Sequence, residues 1–322
     1  MEYNGKNKIV TLCGGVGGAK LALGLYRCLK ERGRANDLAI IGNTGDDLDM
    51  FGLHVSPDLD TVMYTLAGLS NPQQGWGIAD DTYRVLDLFK RYGEDTWFLL
   101  GDQDFATHIL RTRMLKEGVS LTEITATLTV SLGLDCALLP MSDSPVCTYV
   151  ETLEVGEIPF QEYFVRRGAT DTVVGIRYDG IEQAEITAPI AAAIWQSELV
   201  IIAPSNPYLS IEPILQVKGM EQALLQCNSP VVVVSPIVGG KALKGPAADI
   251  MRSFDGVEPS ALGVAKYYQG LVGGFVLDVS DDALAEEIAA MGYQVLVTQT
   301  VMQTNEDKQL LAEHILEEFL PR

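Results

Sequence analysis

The chain has 322 residues, 47% of them hydrophobic and 20% charged, a composition typical of a globular protein that excludes an intrinsically disordered one. Asp and Glu number 43 against 23 Lys and Arg, and the formal net charge of −20 argues against a nucleic-acid partner, because such proteins need a basic surface. No apolar run is long enough to span a membrane and the polar start, 1–8, has no signal-peptide core, so we expect a cytoplasmic protein without membrane contact.

Short apolar runs, each followed by polar or glycine-rich residues, organise the chain. Runs without alternation predict strands that are buried on both faces. In chain order they are 9–13, 38–41, 97–100, 137–139, 199–203, 231–234, 274–277 and 294–297. Amphipathic stretches predict helices at 20–32, 61–69, 211–225 and 281–291. This alternation predicts an α/β fold with a doubly wound, mainly parallel, Rossmann-like sheet.

The middle of the chain has a different pattern. Helical periodicity at 106–116 and 121–132 is followed by segments rich in Thr and Glu. We therefore expect an inserted smaller α+β subdomain at 105–188. The flanking parts, 1–104 and 189–322, would form the Rossmann-like nucleotide-binding core.

A glycine-rich loop, Gly14-Gly15-Val16-Gly17-Gly18-Ala19-Lys20, joins the first predicted strand to a helix. Glycine lets the backbone approach a phosphate, and the N–H groups at a helix start favour an anion. Lys20, expected in the first helical turn, could reach that phosphate. The loop matches neither the P-loop pattern nor G-x-G-x-x-G, so a purely structural tight turn is the alternative. We expect a nucleotide diphosphate at Gly14, Gly15, Gly17, Gly18 and Lys20.

Five aspartates lie close together in sequence after the second predicted strand: Asp46, Asp47, Asp49, Asp58 and Asp60. Mg²⁺ prefers one or two carboxylates together with waters and substrate phosphates. The cluster therefore predicts a magnesium site, which an acidic protein needs in order to hold a polyanion. The alternative is that Asp58 and Asp60 only begin the next helix, where acids complement the helix dipole.

Polar residues also follow other predicted strands. The segments are Gly101-Asp102-Gln103-Asp104, Ser142-Asp143-Ser144-Pro145 and Pro204-Ser205-Asn206-Pro207. Each alone also fits a turn or a helix cap. His108, on a predicted helix with Arg111 and Arg113, fits a core or capping role as well as a ligand contact.

In combination these segments resemble one family, the 2-phospho-L-lactate transferases of deazaflavin coenzyme F-420 biosynthesis. They occur in family order from residue 9 to about 300. The matching segments are Gly14–Lys20, Asn43–Asp47, Ser56–Tyr64, Leu100–His108, Leu139–Asp143, Ala203–Pro207 and Ser235–Gly240. The family usually has Arg in place of Gln103 and a second acid in place of Ser144.

The resemblance implies a magnesium-dependent transfer in a homodimer. A guanosine diphosphate-linked donor carries a phospholactyl or phosphoenolpyruvyl group. The ribityl hydroxyl of the deazaflavin FO attacks the phosphate that bears this group, and GMP leaves. Which three-carbon acid is transferred stays open.

The resemblance also implies roles for individual residues. The catalytic candidates are Lys20 at the donor phosphates, and Asp46 and Asp60 at magnesium or FO, with Asp60 also a possible proton acceptor. The remaining expected substrate contacts are Gly14, Gly15, Gly17, Gly18, Asp47, Asp58, Leu100, Asp102, Asp104, His108, Asp143, Ser205, Asn206 and Ser235.

Two other functions fit part of the sequence. A regulatory, non-catalytic nucleotide-binding protein of the related gluconeogenesis-factor branch would share the glycine loop, but that branch typically lacks the segments Ser56–Tyr64 and Gly101–His108. A dinucleotide-dependent oxidoreductase would place an acid near Asp46, but its glycine spacing differs.

Overall fold

The computed structural model describes residues 9–242, 245–254 and 256–320, and the polar start, 1–8, lies outside them. The strands in this part are β1 Ile9–Cys13, β2 Leu38–Gly42, β3 Leu48–Met50, β4 Leu53–Val55, β5 Ala137–Pro140, β6 Cys147–Thr152, β7 Gly156–Pro159, β8 Val173–Asp179, β9 Leu199–Ile202, β10 Val231–Val234, β11 Ile237–Val238, β12 Lys241–Ala242, β13 Gly274–Asp278 and β14 Gln294–Thr298. The helices are α1 Gly15–Glu31, α2 Pro57–Leu66, α3 Arg84–Tyr92, α4 Asp104–Lys116, α5 Leu121–Ser131, α6 Ala188–Trp195, α7 Glu212–Gln216, α8 Met220–Gln226, α9 Ala247–Ser253, α10 Ala261–Tyr267, α11 Ala285–Ala290 and α12 Asn305–Phe319.

A parallel sheet of seven strands, counted within the described residues, forms the centre in the order β14-β13-β10-β9-β1-β2-β5. Its strands are apolar on both faces because helices cover both faces. Val10 and Leu12 pack with α6 to α11 on one face, and Ile9 and Cys13 pack with α1, α2, α5 and α12 on the other. The predicted doubly wound, parallel α/β fold is confirmed.

The direction in which the sheet grows reverses at β1. The chain adds β2 and β5 on one side of β1, and later adds β9, β10, β13 and β14 on the other side. Open α/β sheets bind ligands where this reversal separates the carboxyl ends of two neighbouring strands. That position lies between β1 and β9, where Gly14 and the loop 203–206 follow the strands.

The predicted strand at Trp97–Leu100 is wrong, because these residues pair with no strand. Leu100 is buried by side-chain packing instead, Trp97 and Phe98 are half-buried, and Leu99 is exposed. Leu100 packs with Met50, Leu86 and Phe105 in a small satellite core, and Trp97 lies against it. An apolar run indicates burial, but a strand also needs a backbone partner.

Other predicted bounds change in detail. Helix α1 begins at Gly15, five residues before the predicted start at 20. The predicted helix at 211–225 is divided into α7 and α8, because Gly219 lies between them with a φ of +92°. No helix in the described part of the chain is both long and apolar enough to cross a membrane.

The predicted inserted subdomain, 105–188, contains two kinds of structure. Helices α4 and α5 lead into β5, which pairs with β2 in the central sheet. Strands β6, β7 and β8 form an antiparallel sheet of their own. Whether 105–188 is a subdomain separate from 1–104 and 189–322 stays a prediction.

Candidate functional site

The glycine loop is tied to two neighbouring loops. The Gly14 N–H donates to Ser205 Oγ at 3.2 Å, and that hydroxyl donates back to the Gly14 carbonyl at 2.8 Å. The Gly15 N–H donates to Asp58 Oδ1 at 2.6 Å. The first N–H of α1 is therefore bonded to a carboxylate of the protein itself, at the position where a donor phosphate was expected.

Close packing explains the glycines of this loop. A Cβ on Gly17 would lie 2.3 Å from the carbonyl oxygen of Pro204, and a Cβ on Gly18 would lie 2.5 Å from the Cβ of Cys13. Gly15 has a φ of +61°, which favours glycine. Close packing and a positive φ thus explain these glycines without a phosphate, and the phosphate contact of the loop stays a prediction.

Lys20 is the sixth residue of α1, so its expected place in the first helical turn is wrong. Its ammonium group donates to the Met302 carbonyl at 2.8 Å, in the loop between β14 and α12. The contact of Lys20 with a donor phosphate stays a prediction.

The loop after β2 carries the acidic cluster. Asn43 shapes it, because its Oδ1 accepts the Gly45 N–H at 2.8 Å and its Nδ2 donates to Asp58 Oδ2 at 3.1 Å. Asp46 is buried, and its Oδ1 has no hydrogen-bond partner among the described residues. Burial and the neighbouring Asp58 raise the pKa of Asp46 well above its usual range. Burial also raises the pKa of Asp58, to about 6.

The antiparallel sheet holds the acidic loop from the side. The Thr148 N–H donates to the Gly45 carbonyl at 2.7 Å, and Gln161 Nε2 donates to the Asp46 carbonyl at 3.4 Å. The Oγ1 atoms of Thr148 and Thr44 are buried and have no partner among the described residues. Buried oxygens without a described partner thus belong both to the acidic loop and to the strand beside it.

Asp47 forms a second polar centre with His54, on β4. Its Oδ2 accepts from His54 Nε2 at 2.9 Å and from Ser56 Oγ at 2.8 Å, whereas its Oδ1 has no partner among the described residues. Burial lowers the pKa of His54, but the Asp47 carboxylate outweighs it and raises the pKa overall. Burial raises the pKa of Asp47.

Asp60 is paired with Arg111, which lies on α4. The guanidinium nitrogens of Arg111 donate to both carboxylate oxygens, and the Nη1–Oδ2 distance is 3.0 Å. Both side chains are buried, as is His108, whose Nδ1 lies 3.3 Å from Arg111 Nη1. Burial opposes the charge of Arg111, but Asp60 raises the pKa of the guanidinium. Burial lowers the pKa of His108 to about 4, so its ring is neutral at pH 7.

Asp102, which lies just before α4, caps the start of α3, and Asp81, which lies just before α3, caps the start of α4. Asp102 accepts the N–H groups of Arg84 at 3.2 Å and Val85 at 3.0 Å, at the start of α3. Asp81 accepts the Gln103 N–H at 3.0 Å, at the start of α4. The helix-cap alternative therefore applies to Asp102.

Asp104 follows on α4 and is buried beside Asp60 and Tyr64. Burial, together with the negative charge of Asp60, raises the pKa of Asp104 to about 6. Asp104 thus belongs with the acidic side chains of the site, whereas the side chain of Leu100 lies in the satellite core.

The other predicted contact residues bond to backbone groups of the protein, Asp143 at a neighbouring helix and Asn206 and Ser235 within their own loops. Asp143 is exposed and accepts the Thr122 N–H at 2.8 Å, at the start of α5. Asn206 Oδ1 accepts the N–H groups of residues 208 and 209, and so caps the π-helical turn Pro207–Ile211. Ser235 Oγ donates to the Ile237 carbonyl at 2.9 Å. Their expected contacts with substrate stay predictions, since backbone groups of the same loops could make them.

The structure thus brings Asp46, Asp47 and Asp58 together beside the glycine loop, with Asp60 and Asp104 on the adjoining helices. No site role was expected from the sequence for Asn43, His54 or Arg111. Arg111 lies three residues after His108, a spacing that places both on one helix face, and this was the available signal.

The acidic residues of the site meet the needs of a magnesium ion only in part. Within the described residues, no group of three or more His, Cys, Asp or Glu side chains is arranged to hold a metal ion. One or two carboxylates suffice for Mg²⁺, and the unpartnered Oδ1 of Asp46 fits such a ligand. Both oxygens of Asp60 accept hydrogen bonds from Arg111, and its expected role as a magnesium ligand stays a prediction.

The fold defines a class of protein, a Rossmann-like α/β protein, here with an acidic candidate site beside its switch point. Residues 9–316 match the family described as 2-phospho-L-lactate transferase CofD, and the chain belongs to this family.

Relatives cover almost the whole chain. A phosphoenolpyruvate transferase of Streptomyces griseus is 41% identical over 315 residues, which are 96% of this chain and 98% of that protein. A 2-phospho-L-lactate transferase of Methanosarcina acetivorans is 37% identical over 308 residues, 96% of this chain and 98% of that protein. A 2-phospho-L-lactate transferase of Methanocaldococcus jannaschii is 37% identical over 312 residues, which are 96% of this chain and 97% of that protein.

Among solved structures, protein BH3568 of Bacillus halodurans superposes with a TM-score of 0.62 and 16% identity, over 96% of this chain and 99% of that one. A second crystal structure of the same protein is described as a member of the upf0052 family and gives the same values. At this identity the likeness supports the fold alone.

Proposed function

We propose that the protein is a transferase that moves a phospholactyl or phosphoenolpyruvyl group from a guanosine diphosphate-linked donor to the ribityl hydroxyl of FO, with release of GMP. The observation that carries this proposal is the buried, unpartnered carboxylate oxygen of Asp46, beside Asp47 and Asp58 at the carboxyl end of β2. The names of the relatives, phosphoenolpyruvate transferase and 2-phospho-L-lactate transferase, support the reaction type.

The carboxylates of the site repel the negatively charged phosphates of the proposed donor. Phosphoryl transfer depends on positioning and on neutralising charge at the phosphates, and several carboxylates here oppose an anionic donor. We propose Mg²⁺ as the cofactor, with Asp46 as its protein ligand; when bound, it would neutralise phosphate charge and orient the attacked phosphorus. Asn43 and Gln161 would hold the loop that presents Asp46.

The three-carbon acid of the donor is a separate question. A phosphoenolpyruvate transferase and a 2-phospho-L-lactate transferase both match almost the whole chain, at 41% and 37% identity, and this difference is too small to choose between the acids. Both donors therefore belong in the same assay.

The experiment is to incubate the protein with FO, Mg²⁺ and each guanylylated donor, and to follow GMP and the phosphorylated deazaflavin by mass spectrometry. Asp46→Asn should remove turnover, because it removes the charge offered to the cation. Asp135→Asn is the matched control, since Asp135 is exposed in the turn before β5. Absence of product with both donors would contradict the transferase function.

The same assay separates the alternatives. A regulatory nucleotide-binding protein would bind GDP without turnover, and an oxidoreductase would consume a nicotinamide cofactor. The homodimer and the cytoplasmic location stay predictions, the first testable by light scattering of the purified protein.

A further inference from the structure

We propose that Arg111 is a positioning residue for the transfer reaction: it holds Asp60 as an ion-paired carboxylate that does not bind a cation, and it fixes His108 with the proton on Nε2. The reaction itself rests on the proposed function above. The arrangement of Arg111, Asp60 and His108 rests on geometry alone.

Arg111 and Asp60 form a buried ion pair. Arg111 Nη1 and Nη2 donate to the two different oxygens of Asp60, so the planar guanidinium fixes the carboxylate in two directions. Both side chains are buried, with 1% of the Arg111 side chain and 7% of the Asp60 side chain exposed. An oxygen that already accepts a charged N–H in a buried site is a poor ligand for a cation.

Arg111 also contacts the ring of His108. A guanidinium group can only donate hydrogen bonds. Because Arg111 Nη1 lies 3.3 Å from His108 Nδ1, this nitrogen must be the acceptor and the ring proton must be on Nε2. His108 Nε2 is buried and has no partner among the described residues. Arg111 therefore determines which ring nitrogen can donate.

Helix α2 connects the ion pair of Arg111 and Asp60 to the glycine loop. Asp60 and Asp58 both lie in the first turn of α2. Asp60 is held by Arg111 from α4, and Asp58 accepts the Gly15 N–H at 2.6 Å. A shift of Asp60 would thus move the turn that positions Asp58 against the start of α1. Lysine cannot replace this function, because its single ammonium group lacks the fork of a guanidinium.

The first test is spectroscopic and needs no substrate. Long-range ¹H–¹⁵N spectra of the histidine side chains show which nitrogen of His108 carries the proton. We expect Nε2–H in the wild type and in Arg113→Met, which alters an exposed residue of the same helix. In Asp60→Asn/Arg111→Met, which has no cationic donor opposite Nδ1, we expect a mixture of tautomers. A proton on Nδ1 in the wild type, or an unchanged spectrum in this double variant, would overturn the proposal.

The second test uses kinetics and separates positioning from folding. In Arg111→Lys we expect kcat to fall on the order of 10²-fold with little change in KM, because small misplacements of reacting groups cost about that much. The double variant Asp60→Asn/Arg111→Met carries no unpaired charge, so it should fold and still have the low kcat. Wild-type kcat in either variant would show a purely structural pair.

A third measurement addresses the cation. Calorimetric titration with Mg²⁺ should give the same affinity for Asp60→Asn as for the wild type. A loss of affinity in Asp60→Asn would assign Asp60 as a ligand and refute its role here. If the wild type has no transferase activity, the proposed function fails, and the ring-nitrogen spectra still decide the arrangement of His108 and Arg111.

Discussion

The carboxylate of Asp58 accepts the backbone N–H of Gly15 at 2.6 Å, so a side chain from the start of α2 is bonded to the start of α1. The other carboxylate oxygen accepts from Asn43 Nδ2 at 3.1 Å. One buried acid thus joins the loop after β1, the loop after β2 and the helix α2. These elements form the wall of the proposed active site.

Replacement of Asp58 tests this connection. Asp58→Ala leaves the Gly15 N–H and the Asn43 amide without their acceptor, whereas Asp58→Asn retains an oxygen for Gly15. Because an unpaired buried donor costs about 1–3 kcal/mol, we expect Asp58→Ala to be less stable than Asp58→Asn by that amount. Urea denaturation of both variants measures the difference, and equal stabilities would show that the bond contributes nothing.

A second prediction concerns Gly17. In Gly17→Ala the new Cβ would lie 2.3 Å from the Pro204 carbonyl oxygen, and a backbone atom cannot move away easily. Overpacking of this kind costs about 1–3 kcal/mol, so the unliganded variant should melt at a lower temperature. Gly273→Ala is the control, since nothing lies within 4 Å of its Cβ position. If Gly17 served only phosphate binding, the unliganded melting temperature would not change.

The ion pair of Arg111 and Asp60 predicts a large effect on stability. Arg111→Met leaves the buried Asp60 carboxylate without its partner, a change that costs about 3–5 kcal/mol. The double variant Asp60→Asn/Arg111→Met should recover most of this loss, because no charge is then left unpaired. Arg113→Met, whose side chain is 64% exposed, should change stability by less than about 0.5 kcal/mol. Chemical denaturation gives all three values, and additive losses in the double variant would refute coupling between the two residues.

Asp104 predicts a dependence of stability on pH. Burial and the charge of Asp60 raise its pKa from 3.8 to about 6, so the folded protein holds this proton more tightly than the unfolded chain. The stability that this group contributes is therefore present below pH 4 and is lost as the pH rises through 6. Relative to Asp104→Asn, the wild type should lose on the order of 2 kcal/mol between these values.

Parallel denaturation curves of the wild type and Asp104→Asn at pH 4.5 and pH 7.5 measure this difference. The comparison isolates Asp104, since Asp58 titrates in the same range in both proteins. A difference that does not depend on pH would mean that the Asp104 carboxyl has an ordinary pKa in the folded protein.

The sequence by itself determined the architecture. Seven of the eight apolar runs are the strands of the central sheet, because buried parallel strands need side chains that are apolar on both faces. The eighth, Trp97–Leu100, is not a strand, because an apolar run does not by itself specify a backbone partner. The family motifs, which extend along nearly the whole chain, were also recognisable from the sequence.

Only the tertiary structure decided what each polar side chain does. Asp102 and Asp143, which resemble site acids in sequence, cap helices, and Asp60 is neutralised by Arg111 from 51 residues further along the chain. The sequence shows that an acid follows a strand. The partner of that acid comes from another loop or helix, and no local sequence pattern encodes it. The candidate site is therefore a property of how α2, α4 and the loops after β1 and β2 pack together.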